Sequence, residues 1–550
     1  MNCRKYVNFL LAFLLSINTF AQKNIKPTTT STKPKIVIGI VIDQMRWDYL
    51  NRYKSTFAEG GFKRLMQNGY NFNNTFLPYI PTYTAVGHTC IYTGAVPATS
   101  GIIGNNWYEK SISKNMYCTD DSTVQGVGNN DKAGKMSPRN LWSTTITDEL
   151  RLSNNFESKV IGISLKDRGA ILPAGHSANA AYWYDDKTGK WITSNYYMQQ
   201  LPTWVNNFNE KDYVTSMMAK DWNTLLPINN YTQSTTDDKP YEADLPGTKS
   251  HAFPYELSSI STKEKYNTFK FTPYASTFTF NFAKEAIINE KLGKGAVVDF
   301  LTISISSTDY MGHTFGANAV ETQDTYLRLD KDIADFLANL DLTFGKDNYL
   351  VFLTADHGAA HIPAFLAEHK IPAGVFSESI LAKDLNKIIE DSLGIKKAIS
   401  SLQNYQVYID FNAIQLQGKS ISLVKEIITQ ALKSKPFITN VFETEKITTT
   451  ALPEPIKSRL INGYAPTRSG DIQFVIKPGF FDGTNKGTTH GLWNPYDSHI
   501  PLIFYGWKIK PGNTYRETYM TDIAPTIAAL LQIQMPSACV GKVLEEVLIK

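Results

Sequence analysis

Four short stretches carry carboxylates and imidazoles at spacings suited to metal ligation. They are "IVID" ending on Asp43, "STDYMGH" with Asp309 and His313, "TADHG" with Asp356 and His357, and "TTHG" with His490. Zinc takes carboxylate and neutral imidazole ligands at about 2.0–2.2 Å and, in a catalytic site, keeps one position for water or substrate. Six such ligands suffice for two ions about 4 Å apart, which can clamp the attacking and leaving oxygens of one displaced phosphoryl group. A single Asp at a strand end is more often a cap, but four such sites together are hard to assign to chance. His176, His251, His361, His369 and His499 read as surface, core or supporting residues. His361, four residues beyond His357, is the nearest competitor for a ligand role.

A hydroxyl is also at hand. In "IPTYTAVGHTC", residues 80–90, Thr84 and His88 are spaced i,i+4, so on a helix a nucleophile and a base could share one face. The segment predicts a helix from Thr84 to about Tyr92, stopped by Gly94. A helix start offers free N–H groups to phosphate oxygens. Threonine is a poor nucleophile until a base or metal takes its proton. An ion on Asp43, Asp356 and His357 would do so, leaving His88 as a packed residue that steadies the helix. The competing role for Thr84 is that of a helix N-cap.

These groups need a frame. "KIVIGIVID" from Lys35 is a continuous β-branched run, as in a parallel strand buried on both faces. The same pattern recurs in "KVIGISL" (159–165), which runs into Lys166 and Arg168, in "VVDFLTISISSTD" (297–309) and in "NYLVFLTADHG" (348–358). Polar residues at the carboxyl ends of such strands mark the active edge of an open α/β sheet. Later, "HIPLIFYG" reads as a strand and "TDIAPTIAALLQI" as an amphipathic helix with Pro525 in its first turn. Residues from 170 to about 285 and from 362 to about 470 differ in texture and read as insertions or caps beside the sheet. The first contains a hairpin-like "YWYDDKTGKWITSNYY" around a Lys-Thr-Gly turn.

The chain has 550 residues, 42% hydrophobic and 12% aromatic, which fits one large domain with insertions or two domains. Arg4 and Lys5 precede an apolar run from Val7 to Ile17, with Ala21 closing the segment. Residues 1–21 therefore read as a secretory signal peptide, whose apolar run is short for a membrane span. Residues 22–34 read as a Thr-rich linker and 35–550 as the folded body. A soluble exported protein, periplasmic or secreted and without stable membrane insertion, is expected. Loss of residues 1–21 removes two basic residues and no acid, taking the formal charge from +4 to +2. That balance gives no sign of a nucleic-acid-binding surface. Cys90, Cys118 and Cys539 would remain, enough for one disulfide and a free thiol, with the pairing open. Oligomeric state is left open as well.

Taken in order, "IVIGIVIDQMRWD", "PTYTAVGHTCIYTG", "SGIIGNN", "STDYMGH", "TADHG", "TTHG" and "TDIAPTIAALL" resemble the alkaline phosphatase superfamily. They are most similar to its threonine-nucleophile branch, shared by nucleotide pyrophosphatase/phosphodiesterases and PafA-type bacterial alkaline phosphatases. The resemblance covers residues 35 to about 170, 295 to 360 and 470 to 550. It implies an α/β three-layer sandwich with a central, mostly parallel sheet and inserted cap segments, and a site holding two Zn2+. Thr84 is then the nucleophile and Asn105 a donor to the phosphoryl oxygens. Asp309, His313 and His490 would hold one zinc; Asp43, Asp356, His357 and the Thr84 oxygen the other.

Lys166 and Arg168 bear on the subclass. A monoester dianion carries one more unesterified oxygen than a diester, and a guanidinium fork with an ammonium suits it. The pair is similar to the PafA-type monoesterases and is not expected in the diesterases; by itself it would read as a solvated loop pair. Asp167 between them is expected to point the other way along an extended segment. Gly87 stands where the diesterase pattern has Asn. A sulfatase is disfavoured, because no Cys/Ser-x-Pro-x-Arg context lies near Thr84. The expectation is an exported phosphatase acting on a broad range of small phosphate monoesters through a phosphothreonine. The rivals are a nucleotide or lipid-headgroup phosphodiesterase and a non-catalytic phosphate- or glycan-binding surface protein.

Overall fold

The computed structural model describes residues 33–548, so the signal-peptide segment and nearly all of the linker lie outside the described residues. A ten-stranded sheet forms the centre. In chain order its strands are β1 (Ile36–Ile42), β2 (Tyr70–Phe72), β3 (Gly126–Val127), β4 (Val160–Ser164), β5 (Ala180–Asp185), β6 (Lys190–Ser194), β7 (Asp299–Ile305), β8 (Tyr349–Thr354), β9 (Leu502–Gly506) and β10 (Gly512–Thr514). Across the sheet they run β10-β2-β9-β8-β1-β7-β4-β5-β6-β3. The five from β8 to β5 are parallel, and β9 and β6 flank them antiparallel.

Every residue of β1, β4, β7 and β8 is buried. Since successive side chains point to opposite faces, both faces of the sheet are covered, which explains the unbroken β-branched runs. The helices that matter for the site are α1 (Thr84–Thr93), α2 (Asp167–Ala174), α3 (Tyr274–Asn289), α4 (Ser307–Phe315) and α5 (Val320–Phe344). Tyr92 of α1 packs on Phe300 of β7 and Phe352 of β8, with ring centroids 6.2 and 5.8 Å away. Gly39 of β1 makes room for this stack, since a Cβ there would lie 2.2 Å from the Tyr92 hydroxyl. Helices α3 and α5 meet through Phe280 and Phe336, 5.0 Å between centroids. No helix among the described residues is long and apolar enough to cross a membrane.

The two tracts set apart by texture behave differently. The hairpin of the first is present, but its strands are β5 and β6, which extend the central sheet rather than cap it. Its aromatic residues pack inward, with Trp191 stacked on Phe278 and Phe282 of α3. The second tract is a separate body with its own apolar core. It contains a four-stranded sheet of Ile399–Gln403, Gln406–Ile409, Ile472–Ile476 and Ile438–Glu443, in that spatial order, and its last strand lies beyond residue 470. Cys90, Cys118 and Cys539 are all free thiols.

Candidate active site

Because β1, β4, β7 and β8 are parallel neighbours, their carboxyl ends share one edge of the sheet. Asp43 follows β1 directly, Asp356 lies two residues past β8, Asp309 sits in the first turn of α4 after β7, and Lys166 is two residues past β4. His490 arrives from the loop before the helix Pro495–Ser498. Two trios result, Asp43–Asp356–His357 and Asp309–His313–His490, and within each the ligand atoms lie within 4.8 Å of one another. The trios adjoin: the rings of His357 and His490 stack with centroids 3.5 Å apart.

The donor chemistry fits divalent cations. Nδ1 of His357, His313 and His490 faces the backbone carbonyls of Gly358, Thr488 and Thr82, at 3.0, 2.8 and 2.7 Å. A hydrogen on each Nδ1 leaves the Nε2 lone pair directed inward, the usual arrangement behind a metal-binding imidazole. Those lone pairs face carboxylate oxygens: His357 Nε2 lies 3.5 Å from Asp43 Oδ1 and 3.4 Å from Asp356 Oδ2, and His313 Nε2 lies 3.2 Å from Asp309 Oδ1. Asp43 Oδ1 and Asp356 Oδ2 are buried and accept no hydrogen bond. Acceptors facing acceptors in a buried space call for a cation. Burial holds the His357 imidazole down to about 3, in the neutral form that ligation requires. Burial, reinforced by Asp309 and Asp356, pushes the Asp43 carboxyl well above its usual range.

Thr84 is the first residue of α1, and Tyr83, in extended conformation, holds the cap position without a side-chain cap bond. The N-cap role is therefore not the one Thr84 plays. Its hydroxyl is 3.4 Å from His357 Nε2, and the residue is only 1% exposed. His88 does not reach that hydroxyl: its Nδ1 lies 2.9 Å from the Thr84 carbonyl oxygen and its Nε2 is 2.8 Å from Ser304 Oγ. Gly87 brings α1 against the segment that follows β8, since a Cβ there would stand 2.4 Å from the Asp356 carbonyl oxygen.

Asn105 Oδ1 accepts the Ala85 N–H at 2.9 Å. This fixes the amide orientation and leaves its NH₂ to donate elsewhere. The Lys166 ammonium, 4% exposed as a residue, reaches Asp43 Oδ2 at 2.7 Å and Asp309 Oδ2 at 2.5 Å, one carboxylate from each trio. Arg168 is half-buried and donates to the Tyr117 hydroxyl at 3.0 Å, which donates in turn to Asp167 Oδ1 at 2.5 Å. Asp167 is not on an extended segment: it opens α2 and accepts the Arg168 backbone N–H. An acid in a helix's first turn is favoured by the free N–H groups there. His361 stands apart from both trios, its ring nitrogens 3.1 Å from Arg46 and 3.0 Å from Asn318.

Three supporting residues escape a reading based on ligand types. Gln44 donates its backbone N–H to Asp356 Oδ1 at 3.1 Å and its side-chain amide to Asp309 Oδ1 at 2.6 Å, joining the two trios. It does so from a left-handed backbone, φ 65°, and Gly312 leaves space for its amide. Its one visible signal is a polar side chain next to Asp43. Tyr117, and Asn404, whose Nδ2 donates to the Asn106 carbonyl oxygen at 2.8 Å, come from distant segments and carry no local signal.

A family model described as type I phosphodiesterase / nucleotide pyrophosphatase matches residues 37–499. Alkaline phosphatase PafA of Elizabethkingia meningoseptica is 50% identical over 523 residues, covering 95% of this chain and 96% of that one. Alkaline phosphatase PhoV of Synechococcus elongatus is 48% identical over 544 residues, covering 98% of each. Crystal structures of a PafA alkaline phosphatase superpose with a TM-score of 0.91 at 49% identity, covering 94% of this chain and 99% of theirs. One is wild type; the other is a variant changed at a threonine, an asparagine, a lysine and an arginine.

Proposed function

The chain belongs to the type I phosphodiesterase / nucleotide pyrophosphatase family of the alkaline phosphatase superfamily, and from that premise we propose an exported, two-zinc phosphatase of broad specificity that works through a phosphothreonine. The enzyme is an alkaline phosphatase, hydrolysing phosphate monoesters. The observation that carries the mechanism is the meeting of the Thr84 hydroxyl, the Lys166 ammonium and two ligand trios at one end of the sheet. The changed residues of the PafA variant support it, being of the types and spacing of Thr84 with Asn105 and of Lys166 with Arg168.

Asp43, Asp356 and His357 would hold one cation and Asp309, His313 and His490 the other. When bound, the two supply Lewis-acid stabilisation of oxygen charge and lower the pKa of hydroxyl groups and water. Thr84 Oγ forms a bond to phosphorus as the bond from phosphorus to the leaving alkoxide breaks, and the alkoxide departs as alcohol after taking a proton. Water then forms a bond to phosphorus as the Thr84 Oγ–phosphorus bond breaks, giving phosphate and the free hydroxyl. Through both displacements Asn105 donates its amide, and Lys166 and Arg168 supply positive charge to the unesterified oxygens, a mainly electrostatic contribution. The Nδ1 contacts of the three histidines keep their rings from turning. The basic start, apolar run and small residue of segment 1–21 support export.

Rates on an aryl phosphate monoester and its methyl diester, before and after chelation and with zinc restored, test this reading. Preference for the monoester and recovery with zinc are expected. A preference for the diester would favour the phosphodiesterase, and phosphate binding without chelator-sensitive hydrolysis would favour the non-catalytic binder.

A further inference from the structure

The hairpin of the second tract, Ile399–Gln403 paired with Gln406–Ile409, closes through just two residues, Asn404 and Tyr405. Both are left-handed, φ 59° and 60°. A two-residue turn of this kind matches the twist of its strands, and Asn suits its first position, but its second is ordinarily glycine. A tyrosine there is held in a backbone region that bulky residues avoid. Hairpin tips are normally solvated, yet Asn404 is 8% and Tyr405 2% exposed.

What covers this tip is the active-site rim. Asn404 Nδ2 donates to the Asn106 carbonyl oxygen at 2.8 Å. A Cβ on Gly104 would lie 2.8 Å from that same nitrogen, so glycine lets the amide settle on this segment. Asn105 lies between these two contacts. Its own carbonyl accepts the Cys118 N–H at 3.0 Å, and its side-chain oxygen accepts the Ala85 N–H at 2.9 Å. Tyr405 is fixed by Glu378 Oε1 on its N–H, at 2.7 Å, and by the Gln473 amide on its carbonyl, at 2.9 Å. Its ring packs edge-on against Phe474, with centroids 6.0 Å apart.

We propose that Asn404 is a positioning residue for Asn105: the tip of the inserted sheet holds the Gly104–Asn106 segment so that the free NH₂ of Asn105 faces the phosphoryl oxygens. This rests on the reading of Asn105 as a phosphoryl-oxygen donor. The catalytic sheet thus receives one of its groups in working orientation from a body with a separate core.

The test is a double-mutant cycle on the zinc-loaded, full-length enzyme, with affinity for inorganic phosphate measured by calorimetry alongside kcat/KM. Asn404→Gly keeps the left-handed turn and removes only the amide; Asn404→Asp, nearly the same shape but unable to donate, serves if the glycine variant does not fold. A loss of about tenfold in both kcat/KM and phosphate affinity is expected, with zinc content and melting temperature unchanged. In an Asn105→Ala background the same change should cost less than about twofold. An undiminished loss in that background, or no loss in the single variant, overturns the positioning role. Full activity of Asn105→Ala alone would instead overturn the donor reading on which it rests.

Discussion

His88 Nδ1 stands 3.2 Å from Asp356 Oδ2, both side chains wholly buried, while the same nitrogen lies 2.9 Å from the Thr84 carbonyl oxygen. One imidazole therefore stands between the backbone of Thr84 and a carboxylate of the first trio, and reaches strand β7 through Ser304. His88→Asn shortens this link. It is expected to lower the melting temperature and to weaken zinc binding by about tenfold or more, as is usual for partners of ligand side chains. Chelator competition checks this; unchanged zinc affinity would reduce His88 to a packing role.

Thr84→Ala should abolish turnover, with a drop of at least about 10³-fold in kcat, because it removes the hydroxyl that stands 3.4 Å from His357 Nε2. Acid quench with labelled substrate should trap phosphothreonine in the parent and none in the variant. Near-normal rates in the variant would refute covalent catalysis.

Replacing Lys166 and Arg168 by Ala should cost the monoester far more than the methyl diester. Charge-assisted hydrogen bonds contribute about 1.5–3 kcal/mol, so roughly 10- to 10²-fold is expected for each residue. Lys166 also neutralises Asp43 and Asp309. Zinc content must therefore be measured alongside; equal losses on both substrates would mean that the pair serves the fold.

Gln44→Gly preserves the left-handed backbone and the N–H donated to Asp356 while deleting the amide on Asp309. Zinc should leave the Asp309 trio about tenfold more readily, with the other trio little affected. Stepwise zinc titration would resolve the two; parallel weakening of both sites contradicts the asymmetry.

His361 gives a pH signature. Burial, aided by Arg46 and Arg52 and opposed by Asp48, holds its imidazole down to about 3 against an ordinary 6.5. Below pH 6.5 the unfolded chain takes up a proton that the folded one refuses, so stability is present above that value and is lost as pH falls toward 3. His361→Gln should flatten the fall of melting temperature with acid over this window, and an unchanged slope would mean that His361 does not contribute to it.

Much of the site is legible because carboxylates and imidazoles stand out against β-branched strands, and parallel strands bring their ends to one edge. Asp43, Asp356 and Lys166 follow from that rule alone. Gln44, Tyr117 and Asn404 do not, since each acts through a hydrogen bond to a residue remote in sequence, and nothing in its neighbours marks the contact. Asp167 carries a helix-start signal, an acid in a first turn, but the strand pattern that precedes it masks that signal. The Tyr- and Trp-rich texture of β5 and β6 marks their hairpin but not its place on the central sheet, since it suits an edge packed on Phe278 and Phe282 of α3 as well as it suits a cap.

Asp43, Asp309 and Asp356 are rooted in three adjacent strands that touch along their whole length, while the chain between them wanders through hairpins, helices and a second core. Length changes and exchanges in those excursions leave the roots where they are. What surrounds the two trios can therefore be rewritten in sequence and in length while the three carboxylates keep their spacing.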